Sequence, residues 1–400
     1  MSYKGDKWWV SPYNFIEDVR KTLNLPDKVE IHDVTLRDGE QTVGVVFNKD
    51  DKLAIAKMLS EIGVDRIEAG MPVISNEERD AIKSITRENL KSKIFVLSRL
   101  MQGDIDAAID TEVDGIILEA PIGVPKLMQF EGWNLEYVKD LALKMIDYAK
   151  AHGIYTVFFG VDTTRTDPTT YFDFMRDISQ SKVDSLTVVD TFGCITVEGM
   201  KYIVRQLKRI TNKPIEVHTH NDFGLSTATT LAAVTEGSSV VHVAVNGIGE
   251  RTGNAPLEEV VMGLKFLYGI NINMKFEKLY ELSKEVEKRS GFKIALNKPV
   301  VGYTAFARES GISVAGWMKF NLGSEPVLPE LVGNTHKVFI GKKSGKHSIL
   351  YKLHELGYDT SKISEQTIKE ILNEVKEKSE KEKRALSDEE FLSIVKKYIR

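Results

Sequence analysis

The chain is poor in cysteine: Cys194 is the single one in 400 residues. That excludes a disulfide within the chain, and with it the usual thiolate metal site, which needs several cysteines. An excess of one charge is also lacking. Lysine and arginine number 54 against 58 aspartates and glutamates, a formal net charge of -4, which gives no electrostatic footprint for nucleic acid or an acidic membrane. No segment reaches the roughly eighteen consecutive apolar residues of a membrane span. The opening MSYKGDKWWVSPYNF has no apolar stretch of the secretory-signal kind. What is present is ordinary for a soluble protein, with 42% hydrophobic and 28% charged residues. The expectation is a cytoplasmic enzyme or binding protein.

From about Lys28 short β-branched runs alternate with longer amphipathic stretches. The candidate strands are VEIHDVTL (29–36), RIEAG (66–70), KIFVLSR (93–99), DGIILEA (114–120), YTVFFGVD (155–162), SLTVVD (185–190), IEVHTH (215–220) and VHVAVN (241–246). In KDDKLAIAKMLSEIG (49–63), Leu53, Ala56, Met58 and Leu59 recur at roughly helical spacing. LEYVKDLALKMIDYAKAHG (135–153) ends in a glycine suited to a C-cap. Eight strands with intervening helices in about 245 residues have the count and size of a (β/α)8 barrel. An open doubly wound sheet is the weaker alternative, because no G-x-G-x-x-G follows the first strand. The expected division is an N-terminal extension (1–27), a TIM-barrel domain (28–275) and a linker helix with a mainly helical C-terminal subdomain (276–400). In the last region SDEE (387–390) reads as an N-cap with an acidic first turn.

In such barrels the chemistry sits at the C-terminal ends of the strands. Read in order, those ends offer Arg37 and Asp38, then Glu68, Arg99, Glu119, Asp162 with Arg165, Asp190 with Thr191, and His218 with His220. The loop after the eighth strand adds Asn246, Glu250, Arg251 and Asn254. His218 and His220 are two apart on a strand, so their side chains share one face while Thr219 points the other way. Two imidazoles from one strand and a carboxylate from a nearby one make a plausible divalent-metal site, and Asp38 is the natural carboxylate.

DVTLRDGEQTVGVVF (33–47), HTHNDFGLSTATTLAAV (218–234) and NGIGERTGNAPLEEVV (246–261) resemble signature segments of the homocitrate synthase / 2-isopropylmalate synthase family. That family is grouped with metal-dependent TIM-barrel lyases and aldolases. NKPVVGYTAFARESGI (297–312), LPELVG (328–333) and IGKKSGKHSI (340–349) are similar to its subdomain segments, so the resemblance spans roughly 28–350. It implies that Asp38, His218 and His220 bind a divalent cation (Mg, Mn or Zn), with Asn254 close by or coordinating. It further implies a 2-oxo acid substrate, acetyl-CoA as its acyl partner, Arg37 donating to the developing oxyanion, and Gln41 and Thr191 in contact with substrate. Glu68 and Arg99 border the expected substrate pocket. A homodimer is expected by analogy alone.

The sequence also departs from the family's pattern. Its fifth-strand segment reads like S-x-E-D-x-x-R, whereas FFGVDTTRT (158–166) puts Val161 where the Glu belongs. Its E-S-G-I-H is ESGIS here, with Ser313 in place of the His, and its Tyr falls on or near Ser324. A valine cannot accept a proton, and an alcohol is a poor base unless activated. For Glu119 two readings stand: an ion pair with Arg99, or a role toward substrate as hydroxyl or amine partner or replacement base. His32 is either a satisfied interior histidine or another replacement base. Asp162 and Arg165 are expected to form an ordering pair. The leading expectation is an acyl-CoA-dependent 2-oxo-acid condensing enzyme. A carbon–carbon lyase or aldolase lacking the usual base is the alternative, and a catalytically silent ligand-binding relative is a third.

Overall fold

The computed structural model describes residues 2–399. Eight parallel strands close into a barrel: β1 (Glu30–Asp33), β2 (Arg66–Glu68), β3 (Lys93–Arg99), β4 (Gly115–Pro121), β5 (Tyr155–Val161), β6 (Ser185–Asp190), β7 (Ile215–Thr219) and β8 (Val240–Val243). Each pairs with its sequence neighbours, and β8 closes onto β1 with His242 opposite His32. This is the expected TIM barrel, with helices between successive strands. β1, β2 and β8 are shorter than the sequence runs suggested. The chain leaves the ladder at Asp33, Glu68 and Val243, because the residues beyond them turn into the loops that carry the mouth.

The helix Lys49–Ile62 begins with a capping box at Asn48 and ends at Gly63, φ 104°. Its buried face is Lys52, Ile55, Ala56, Leu59 and Ile62, so Leu53 and Met58 lie at the edge of that face and not at its centre. The reason is Lys52. Its ammonium is fully buried against the carbonyls of Leu36 (3.0 Å) and Ala69 (3.2 Å) and the carboxylates of Glu40 (2.8 Å) and Glu78 (2.6 Å). One lysine thus ties the loops after β1 and β2 together.

Two compact units are present. Residues 11–293 form the first; residues 2–10 and 294–399 form the second. The first includes the helix Leu279–Ser290, which Asn246 grips by donating to the Ser283 carbonyl (2.9 Å) and accepting from its hydroxyl (2.5 Å). The second is mainly helical. Gly311–Lys319, Lys346–Glu355, Glu365–Glu382 and Asp388–Tyr398 pack around Val314, Trp317, Leu353, Ile371 and Phe391. Ser387 caps the last of these in a capping box with Glu390, as SDEE foretold.

Candidate active site

Inside the barrel, residue parity decides what meets. Ile117, Val157, Phe159, Val161 and Val189 form an apolar arc. Across from it, β1, β2, β7 and β8 turn charged side chains inward. Arg66 bridges Glu30 (2.7 Å) and Glu216 (2.9 Å), and Glu216 also pairs with His242 (2.8 Å). His242 stacks on His32 with ring centroids 4.3 Å apart, and His32 Nε2 lies 3.1 Å from Glu68. Glu68 in turn accepts from Arg37 Nε, and Arg37 NH1 reaches Asp38 at 2.8 Å. A continuous polar chain therefore runs up the barrel axis to the mouth. Burial pushes the His32 imidazole down to about 4, beyond what Glu68 restores, so it is neutral near pH 7. Burial would raise the Glu68 carboxyl, but Arg37 and His32 hold it down at about 2. His32 is thus a neutral interior histidine, bonded through Nε2 and stacked on His242, with its Nδ1 buried without a partner. Glu68 binds Arg37 and His32 and is fully buried, which makes it a support for the mouth and not part of its lining.

At the top of this chain three side chains converge. His218 is the penultimate residue of β7, and His220 lies just beyond its end, bridged to Asn254. Their Nε2 atoms are 3.2 Å apart and lie 3.6 and 3.8 Å from Asp38 Oδ2. Donor atoms each about 2.1 Å from one cation would be separated by about 3.0–3.4 Å, so the triangle needs only slight contraction to hold an ion. The chemistry of the set fits as well. Burial drives the His218 imidazole well below its ordinary range, keeping it neutral. Burial opposes ionisation of Asp38, but Arg37 and the two histidines keep it a carboxylate. Asn254 donates to Asp38 Oδ1 at 2.8 Å and leaves its own Oδ1 buried without a partner. Arg37 likewise has a buried NH2 group without a partner. An unmet buried donor or acceptor costs about 1–3 kcal/mol, so two of them beside a ligand triangle mark a place built for something else. Gly249 leaves room for this arrangement: a Cβ there would lie 2.1 Å from Asn254 Nδ2 and 2.8 Å from Asp38 Oδ1.

The other expected residues are distributed unevenly. Gln41 is exposed, and its carbonyl accepts weakly from Arg37 (3.4 Å) at the edge of a 790 Å³ cavity. Thr191 Oγ1 accepts from the Asp162 backbone (2.7 Å), so only its hydroxyl proton is still to be placed. Asp162 and Arg165 form the expected pair, with two contacts of 2.8 Å. Arg165 and Arg251 lie over Phe192 at 4.1 and 4.9 Å, which braces the loops after β5, β6 and β8. Arg99 departs from expectation. It forks onto Asp104 (2.8 and 3.1 Å), five residues on, and its side chain is 54% exposed. The Arg99–Glu119 ion pair does not form, and Arg99 is not held toward the metal triangle. Glu119 lines a separate 520 Å³ cavity with Val161, Trp133 and Tyr137.

Sequence reading missed several partners. It named neither Lys52 nor the three strand residues Arg66, Glu216 and His242. Alternation along β7 was the available signal, since Glu216 shares the parity of His218. In the second unit, Ser313 and Ser324 border a 690 Å³ cavity with Arg308 and Glu325. There Glu325 holds both Arg308 (2.8 Å) and His336 (2.5 Å).

Residues 28–286 match the HMGL-like family model, and residues 300–383 match the homocitrate synthase post-HMGL domain-like model. The chain is 40% identical to homocitrate synthase AksA of Methanothermobacter thermautotrophicus, over 98% of each chain. It is 42% identical to 2-isopropylmalate synthase of Methanocaldococcus jannaschii, over 95% of this chain and 73% of that one. It is also 42% identical to (R)-citramalate synthase CimA of that organism, over 92% and 74%. Among solved structures the HMG-CoA lyase of Brucella melitensis superimposes with a TM-score of 0.60 at 18% identity, covering 67% of this chain and all of that one, which speaks to the fold alone. The family models and the relatives show that the chain belongs to the homocitrate synthase / 2-isopropylmalate synthase family of acyl-transferring condensing enzymes.

Proposed function

We propose that this chain is a divalent-metal-dependent synthase that condenses an acyl-CoA thioester with a 2-oxo acid. The observation that carries the proposal is the convergence of Asp38, His218 and His220 beside two unmet buried groups, Asn254 Oδ1 and Arg37 NH2. Asp38, His218 and His220 would hold the cation, with Asn254 Oδ1 available as a further ligand. When bound, Mg, Mn or Zn would act as a Lewis acid on the 2-oxo group. Arg37 is fixed on two sides by Glu68 and Asp38, so its NH2 can donate to a substrate oxygen without reorganising. Thr191, at the edge of the mouth, has a hydroxyl proton left for the substrate.

The relatives that match over most of the chain carry the names of synthases, while the lyases match at 18–21% identity. That weighs against the lyase reading. The test is thiol release from acetyl-CoA with a panel of 2-oxo acids and added Mg or Mn. Release with at least one acid is the expected result. No release, together with cleavage of a 2-hydroxy acid to a 2-oxo acid, would overturn the proposal.

A further inference from the structure

One carboxylate at the barrel mouth is unlike the rest. Glu119 shares the inward parity of Ile117, and its register partners are Arg99 on β3 and Phe159 on β5. Arg99 is taken by Asp104, and Glu119 is left with no hydrogen bond or ion pair among the described residues. The other carboxylates around the mouth are all held. Asp38 is bound by Arg37 and Asn254, and Glu68 by Arg37 and His32. Asp162 is bound by Arg165, Asp222 by Arg251, and Asp190 by the Thr164 hydroxyl and the Cys194 backbone. A carboxylate already clamped by a guanidinium is a weak base; a free one in an apolar setting is a stronger one.

The setting of Glu119 is apolar. Its 520 Å³ cavity is walled by Val161, Trp133, Tyr137 and Leu141, with Lys126 and Arg99 at the edge. Burial raises the Glu119 carboxyl. Arg37 and Lys126 oppose that, while Glu68 and Asp38 add to it. Those charges also show that Glu119 lies within electrostatic reach of the Arg37–Asp38 pair, beside the metal triangle. Phe159, its partner on β5, is in edge contact with His218 (5.1 Å between centroids). Val161, the position where the family resemblance calls for a glutamate, borders the same cavity. The cavity therefore keeps one free carboxylate but draws it from β4 and not β5.

We propose that Glu119 is the general base that activates the acyl donor. In this step the C–H bond next to the thioester carbonyl breaks, the proton passes to the Glu119 carboxylate, and the electron pair stays on carbon, delocalised into the thioester. That carbon forms the new bond to the keto carbon of the 2-oxo acid. The C=O π pair moves to oxygen, and the proton held by Glu119 balances the one the alkoxide takes up. Water then hydrolyses the thioester and releases the thiol. The inference rests on the condensing reading above.

The test compares wild type, Glu119→Gln and Glu119→Asp in thiol release from acetyl-CoA with the 2-oxo acid that wild type uses. Glu119→Gln is expected to lose about 10²–10⁴-fold in kcat, with KM for the 2-oxo acid, metal content and melting temperature unchanged. Glu119→Asp should restore part of the rate. In wild type kcat should fall as pH drops through the raised Glu119 value, because the base becomes protonated; the residual rate of Glu119→Gln should lack that limb. A Glu119→Gln kcat within about tenfold of wild type, or a raised KM with kcat kept, would overturn the proposal and make Glu119 a recognition residue. Wild type inactive across the whole panel would overturn the condensing reading itself, and this inference with it.

Discussion

The two arcs of the barrel mouth are built on opposite plans. On the arc of β7, β8, β1 and β2, each charged side chain is tied to the next, from Arg66 at the bottom through Glu216, His242, His32 and Glu68 to Arg37 and Asp38. On the arc of β3, β4 and β5, an unpaired glutamate faces an apolar cavity, and the neighbouring arginine is clamped by the buried Asp104. The first arc fixes a few atoms in one geometry, as a metal ion requires. The second is loosely braced, and Glu119 there has no hydrogen bond or ion pair among the described residues to hold it.

Four experiments break or sharpen this contrast, from the largest expected effect to the smallest. His220→Ala should abolish bound metal and activity together; full metal content in that variant, measured by elemental analysis, would remove the ligand assignment. Glu68→Gln strips the buried Arg37 of one of its two carboxylate partners and should cost up to about 3–5 kcal/mol in denaturant unfolding, the usual result of breaking a buried pair from one side. A loss below about 1 kcal/mol would mean the braced arc is not cooperative.

The third experiment is a pH series on His32→Gln. The folded-state value of His32, about 4, lies below the ordinary 6.5, so the unfolded chain takes the proton first. Its contribution is complete above pH 6.5 and is lost as pH falls toward 4, by at most about 3 kcal/mol. Glu68, held at about 2 against an ordinary 4.5, gives a separate loss below pH 4.5. His32→Gln should flatten the stability profile between pH 6.5 and 4 and leave only the part of the lower window that Arg37 sustains. An unchanged slope in the upper window would show that His32 does not titrate this way. The smallest effects belong to Arg99→Ala and Ser313→Ala. Arg99 is half exposed and paired to a helix-turn aspartate, so its loss should cost about 0–1 kcal/mol and less than about fivefold in kcat/KM. Ser313→Ala should cost less than about tenfold. A thousandfold drop would show that Ser313 takes part in the reaction.

Much of the braced arc was legible in the chain, because alternation along a strand is local. His218 and His220 had to share a face, and TLRDGEQ had to bring Asp38 to the same rim. The same logic, applied to Glu216, His32 and His242, pointed to an interior polar column that was not drawn out, because barrel interiors are usually apolar. Arg99 went the other way. Its side chain has the right parity for the mouth, yet Asp104 in the following helix is within reach and satisfies both ends of the guanidinium. Lys52 shows the same limit. It sits at a helical position indistinguishable from its neighbours, and only the closure of two loops over it reveals four acceptors around a buried ammonium.

By itself the sequence determined the barrel, the inward histidines and the family, since these follow from period, spacing and motif along one stretch of chain at a time. Which carboxylates are held and which is free was decided by the tertiary structure alone. A charge pairs with whichever opposite charge the fold brings within a few ångströms, so the isolation of Glu119 depends on where Arg99, Arg37 and Lys126 end up in three dimensions.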